Sequence, residues 1–157
     1  MNPKRVLSKD TIIMKLKSDS KDGVIEELID VLVASGKIKD RKAALKAVVD
    51  REKKMSTGLQ NGIAIPHGKT DTIESLVASI GISPAGIPFE SLDGQPAQII
   101  LLTVSPASRT GPHIQFLADI SRVLHNEDTR KRVLTATHEE EVLELLAGET
   151  PPAPPPA

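Results

Sequence analysis

At 157 residues, 39% apolar and 26% charged with a net charge of −1, the chain has the size of one domain and the make-up of a globular protein in water. That balance offers no basic field for nucleic acid. Phe89 and Phe116 are the only Phe, Tyr or Trp residues, which excludes a base-stacking surface and leaves the core aliphatic. With no cysteine there are no disulfides, thiolate metal sites or thiol nucleophiles. The N-terminal MNPKRVLSKDTIIMKLK lacks the ~7–15 apolar residues of a signal peptide, and no stretch approaches the ~20 of a membrane span, so the expected location is the cytoplasm.

In chain order, TIIMKLK (11–17) alternates as a strand does. Ser20 is placed to cap a helix through DGVIEELIDVLVAS, with Val24, Leu28, Val31 and Leu32 on one face and Gly36 as its stop. Asp40 caps a second, RKAALKAVVDREKKM, whose Ala44, Leu45, Val48 and Val49 turn inward. STGLQNG (56–62) is a loop. Strands are predicted at 62–66, 75–83 and 97–105; the last, AQIILLTVS, reads as central and covered on both faces. Between the last two strands, GIPFESLDGQP supplies a short edge strand and a turn at Asp93-Gly94. After the loop PASRTGP come helices at 113–124, 127–136 and 138–148, the last with Thr137 as cap and Gly148 as stop. Helices on either side of a mixed sheet make the class α/β, in a single domain over 1–148. The tail 149–157 is of another kind: five of its last seven residues are proline, the mark of an extended tether, a linker stub or a disordered end without a task.

Among the four histidines, His125 and His138 fall at helix ends, where histidine is common on surfaces. His113 opens a helix on the stripe of Phe116 and Leu117, and taken alone reads as a half-buried polar residue. His67 stands apart, because Pro66 restricts the backbone before it, Gly68 permits close approach after it and Thr70 offers a hydroxyl. No HxxxH or HxxH pair suggests zinc, and no GxSxG suggests a serine hydrolase. What is left is a histidine acting as the nucleophile itself. A phosphoryl group suits its surroundings: its charge of about −1.5 to −2 calls for hydroxyls, N–H groups and a cation, and Ser56, Thr57, Gly68, Thr70 and Arg51 supply those types.

The run DREKKMSTGLQNGIAIPHGK (50–69), then SLDGQP (91–96), GPHIQFLADISRVL (111–124) and EEEVLELLAG at the end, resembles enzyme IIA of the fructose/mannitol type in the bacterial phosphoenolpyruvate-dependent sugar phosphotransferase system, its nitrogen-regulatory branch included. The resemblance covers residues ~5–148. It implies a mixed, largely five-stranded sheet flanked by helices. It implies too that His67 is phosphorylated on Nε2 by the phosphocarrier HPr or its nitrogen-branch counterpart and passes the group to a IIB domain. His113 would hydrogen-bond near the phosphoryl group and Arg51 would neutralise it. Transfer between two phosphohistidines needs no metal or cofactor, provided that His67 keeps its proton on Nδ1. Sugar uptake, regulation of a partner by phosphorylation state, and a non-phosphorylated binding domain of the same fold are the three functions compatible with these residues; the intact His67, Arg51 and His113 weigh against the third.

Overall fold

A computed structural model describes residues 2–148, so the proline-rich tail lies outside the described residues. Five helices and five strands follow two 3-10 turns, Pro3–Arg5 and Lys9–Thr11: β1 Ile12–Ile13, α1 Lys21–Ala34, α2 Arg41–Lys54, β2 Ile63–Ala64, β3 His67–Lys69, β4 Val77–Ile87, β5 Ala97–Ser105, α3 Gly111–Leu124, α4 Glu127–Thr135 and α5 Glu139–Leu146. The expected helices are present, with the expected caps on the first two. Ser20 Oγ accepts the Gly23 N–H at 3.2 Å, and Asp40 Oδ1 accepts that of Ala43 at 3.0 Å. Each bond satisfies one of the donors that a helix start leaves free. Gly36, at φ 78°, ends α1 in the left-handed conformation that glycine adopts without strain.

The sheet runs β1-β4-β5-β2, with β3 also on β5; β4 and β5 are antiparallel and the other pairs parallel. This is the mixed five-stranded sheet expected. β5 is buried on both faces, and its alternation divides the molecule. Ile100, Leu102 and Val104 enter one core with Val24, Leu28 and Leu32 of α1 and Ala44 and Val48 of α2. Ile99 and Leu101 enter a second core with Phe116, Ile120 and Leu124 of α3, Val133 of α4 and Leu146 of α5.

Several boundaries depart from the sequence reading. The strand expected at 11–17 pairs only over Ile12–Ile13, because Ser8 and Thr11 bond each other's backbone and wind the chain into a turn just before it. The short edge strand expected in 86–96 is the end of β4, which passes a register irregularity after Ile82 and meets Ala97 at Ile87. The Asp93-Gly94 turn is present, with Gly94 at φ 73°. At α5 the cap position belongs to His138 rather than Thr137, whose own N–H is taken by the Glu141 carboxylate at 3.1 Å. α3 begins two residues earlier than expected, at Gly111, since proline is compatible with a first helical turn.

Candidate functional site

The strand expected at 62–66 is in fact two pieces, and the break explains the site. β2 pairs Ile63 with Ile99 and β3 pairs His67 with Thr103, so the register is the same on both sides of the gap. The missing pairs are Ile65 with Leu101 and Pro66 with Leu102, both of which in this parallel ladder require an N–H from residue 66. Pro66 has none. Its carbonyl still accepts the Thr103 N–H at 3.1 Å, and the ladder resumes at once. His67 therefore sits on a strand, not on the stiff turn that its Pro-His-Gly setting suggests.

In this register the odd-numbered residues turn their backbone groups away from β5. Ile65 gives its N–H to the Thr57 carbonyl at 3.1 Å and leaves its own carbonyl free. That oxygen lies 2.9 Å from Nδ1 of His67. A carbonyl can only accept, so Nδ1 holds the proton and Nε2 keeps an open lone pair. The half-buried ring is thus oriented as a nucleophile at Nε2 by its own strand.

Strand parity then brings the second histidine in. His67, Lys69, Thr103 and Ser105 occupy one face of the β3–β5 pair, the face that packs beneath α3. His113 points down from the first turn of α3 with its Nε2 2.9 Å from Thr103 Oγ1, and its ring centroid is 5.3 Å from that of His67 at a tilt of 46°. Burial, with the neighbouring His67 and the charge of Lys69 adding to it, pushes the His113 pKa down to about 4. The ring is neutral at neutral pH.

On the opposite face Gly68 meets α2. A Cβ there would lie 2.7 Å from the Ala47 carbonyl carbon and the Val48 nitrogen, so glycine is what allows the helix to seat on β3. Arg51 lies one turn beyond Ala47 on the same helical stripe, which places it on the β3 side of α2. Its Nη1 donates to the Met55 carbonyl at 2.8 Å, and no carboxylate among the described residues pairs with it. The i,i+3 or i,i+4 ion pair that would make it an ordinary surface residue is not formed.

The other residues expected to bind phosphate all take part in the fold's own contacts. Ser56 Oγ donates to the Phe89 carbonyl at 2.6 Å. Thr57 gives both its N–H and its hydroxyl to the Glu52 carboxylate, itself paired with Lys21 Nζ at 3.1 Å. That buried clamp holds the Thr57 carbonyl where Ile65 needs it. Thr70 Oγ1 is bonded to Thr72 at 3.0 Å. The structure thus brings His67 and His113 together, sets Arg51 on the adjoining helix, and uses Ser56, Thr57, Gly68 and Thr70 to hold the scaffold. His125 and His138 are exposed and apart. Among the described residues no group of three or more His, Cys, Asp or Glu side chains could hold a metal ion, and no helix is long and apolar enough to cross a membrane.

Three members of the site escaped the sequence reading. The Ile65 carbonyl and Lys69 follow from the two-residue strand period around His67, which the turn assignment hid. Thr103 carried a visible signal, a hydroxyl amid the buried apolar run of β5.

Residues 5–148 match the family model for the phosphoenolpyruvate-dependent sugar phosphotransferase system, EIIA 2. The chain belongs to that family. An EIIA 2 chain of this kind has well-matched relatives. It is 38% identical to the fructose-specific EIIA component of the phosphotransferase system of Haloferax volcanii, over 82% of this chain and 83% of the relative. It is 36% identical to the fructose-specific EIIABC component of Bacillus subtilis over 90% of this chain, yet spans only 22% of that longer protein. The nitrogen regulatory protein IIA-Ntr of Neisseria meningitidis superimposes with a TM-score of 0.80 at 25% identity, covering 90% of this chain and 97% of that one. The mannitol enzyme IIA of Escherichia coli, solved in complex with phosphorylated enzyme IIB, superimposes at 0.77 with 28% identity over 91% and 98%. Phosphoryl transfer in the sugar phosphotransferase system is the chemistry of this family, and a nitrogen-regulatory branch stands within it.

Proposed function

We propose that the chain is a cytoplasmic phosphocarrier domain, folded over residues 1–148, that accepts a phosphoryl group on Nε2 of His67 from an HPr-type protein and passes it to a IIB domain. The observation that carries this reading is the 2.9 Å contact between His67 Nδ1 and the Ile65 carbonyl. In the transfer the Nε2 lone pair forms a bond to phosphorus as the donor's N–P bond breaks, and the Nδ1 proton stays in place. The His67 ring becomes cationic in the process. A hydrogen bond to a fixed carbonyl strengthens as that charge develops, so it favours the transition state over the free ring. His113 is assigned as a neutral hydrogen-bond donor to the phosphoryl oxygens, and Arg51 as the cation that meets their charge. The end points are both phosphohistidines, so the step is near thermoneutral and reversible, and positioning carries the catalysis without a metal.

Incubation with phosphoenolpyruvate, enzyme I and a phosphocarrier tests the assignment. A single phosphoryl adduct is expected, labile in acid and stable in base, and absent from His67→Ala. An adduct that survives in that variant overturns it. The likeness to IIA-Ntr supports a second reading, in which the same phosphorylated histidine reports to a regulated partner. Transfer of the group to a fructose-type IIB domain selects the first reading; a stable adduct that no IIB domain discharges selects the second.

A further inference from the structure

We propose that Thr103 is a positioning residue for this transfer: its hydroxyl donates to Nε2 of His113 and so keeps the His113 proton on Nδ1, the nitrogen left to bond a phosphoryl oxygen on His67. The proposal rests on the phosphorylation of His67 and adds the device that gives His113 its polarity.

Thr103 Oγ1 and His113 Nε2 are 2.9 Å apart, and both residues are almost wholly buried. Either atom could donate. If Nε2–H donates to the hydroxyl, the Thr103 O–H needs an acceptor of its own, and it has no other partner among the described residues. A buried hydroxyl without an acceptor is penalised, and that penalty decides between two tautomers that are otherwise close in energy. If Thr103 donates instead, both buried groups are satisfied: the hydroxyl has its acceptor in Nε2, and the proton moves to Nδ1. Nδ1 has no protein partner, yet it is not among the sealed, unpaired polar atoms of the interior.

The distinction matters because a phosphoryl oxygen is only an acceptor. A His113 protonated on Nε2 would turn a lone pair toward the incoming group and repel it, whereas one protonated on Nδ1 attracts it. A charged ring would donate from both nitrogens and make Thr103 irrelevant, but its depressed pKa keeps His113 neutral at neutral pH. Thr103 is also the residue that faces His67 across the β3–β5 ladder, so one position of β5 sets the height of one histidine and the proton of the other.

Long-range proton–nitrogen spectra of the imidazoles in the unphosphorylated protein at pH 7 read the tautomer directly. The wild type and Thr103→Ser are expected to show His113 with the proton on Nδ1, and Thr103→Val to shift it toward Nε2. Transfer from a phosphorylated phosphocarrier to His67 should fall about tenfold in Thr103→Val, the equivalent of one hydrogen bond, and recover to within about threefold in Thr103→Ser. On a His113→Ala background the valine should cost less than about twofold, since its effect runs through that ring. An Nε2–H His113 in the wild type overturns the proposal without any variant, as does a Thr103→Val protein that transfers within threefold of wild type. A wild type that shows the Nδ1–H form but takes no phosphoryl group leaves Thr103's hold on the ring established and overturns the transfer reading instead.

Discussion

A proton held on one nitrogen of His67 by a backbone carbonyl is a device that substitution elsewhere on the chain does not easily disturb, because no side chain supplies it. Arg51 is the contrary case. Its guanidinium reaches its own helix end at Met55 and meets no carboxylate among the described residues, which suits the role proposed for it as the cation that meets the phosphoryl charge. Losing one such preorganised group typically costs ~10²–10³ in rate. Arg51→Gln is therefore expected to slow transfer to His67 by about that factor, and Arg51→Lys by less, since it keeps the charge and loses the planar fork. Circular dichroism and melting of both variants check the fold, and transfer within about threefold of wild type in both would show that Arg51 plays no part.

At the scale of elements, α2 and β3 are fitted to each other through Gly68. A methyl placed 2.7 Å from the helix backbone cannot be accommodated by a side-chain movement, because carbonyl carbon and amide nitrogen do not rotate away. Gly68→Ala should destabilise the protein by about 1–3 kcal/mol in urea titrations and, by lifting α2, slow transfer as well. Much of this architecture was legible beforehand. The capped amphipathic helices and the apolar run of β5 follow from periodicity and capping chemistry, and the His67–His113–Arg51 set came with the resemblance carried by STGLQNGIAIPHGK and GPHIQFLADISRVL. What was not legible depends on pairing. Whether Pro66 ends a strand or only costs it one hydrogen bond is decided by which way its missing N–H would have pointed, and that is a property of the register with β5. For the same reason the partners that Ser56, Thr57 and Thr70 have within the fold, Phe89, Glu52 and Thr72, were not legible from their hydroxyls alone.

For the molecule as a whole, His113 ties the site to stability. Its folded pKa of about 4 lies below the ordinary 6.5, so the unfolded chain takes up the proton first as the solution is acidified. The contribution of the neutral ring is complete above pH 6.5, declines as pH falls from about 6.5 towards 4, and is gone below that. The slope is at most ~1.4 kcal/mol per pH unit and the sum at most ~3 kcal/mol. Urea midpoints measured between pH 7 and 4.5 should fall more steeply in the wild type than in His113→Gln, and parallel curves for the two would show that the ring is not held neutral by the fold. If His113 acts as proposed, activity and acid tolerance are joined in one side chain: the burial that keeps its ring neutral is the burial that makes the fold yield in acid.

β2 and β3 line the margin of the sheet, with β5 on one side only. The loop at Thr57 and Leu59 covers that margin as far as Ile65, through the bonds from Leu59 to Ile63 and from Ile65 to Thr57. Past it, the backbone N–H groups of His67 and Lys69 meet no partner among the described residues. A histidine offered to another protein has to stand at such a border, and such a border is where foreign strands add on and chains begin to aggregate. Two features keep the border safe: the open length is only three residues, and the exposed lysine side chain sets a positive charge on it. The setting of His67 and the shortness of the open edge therefore fall on the same three-residue strand.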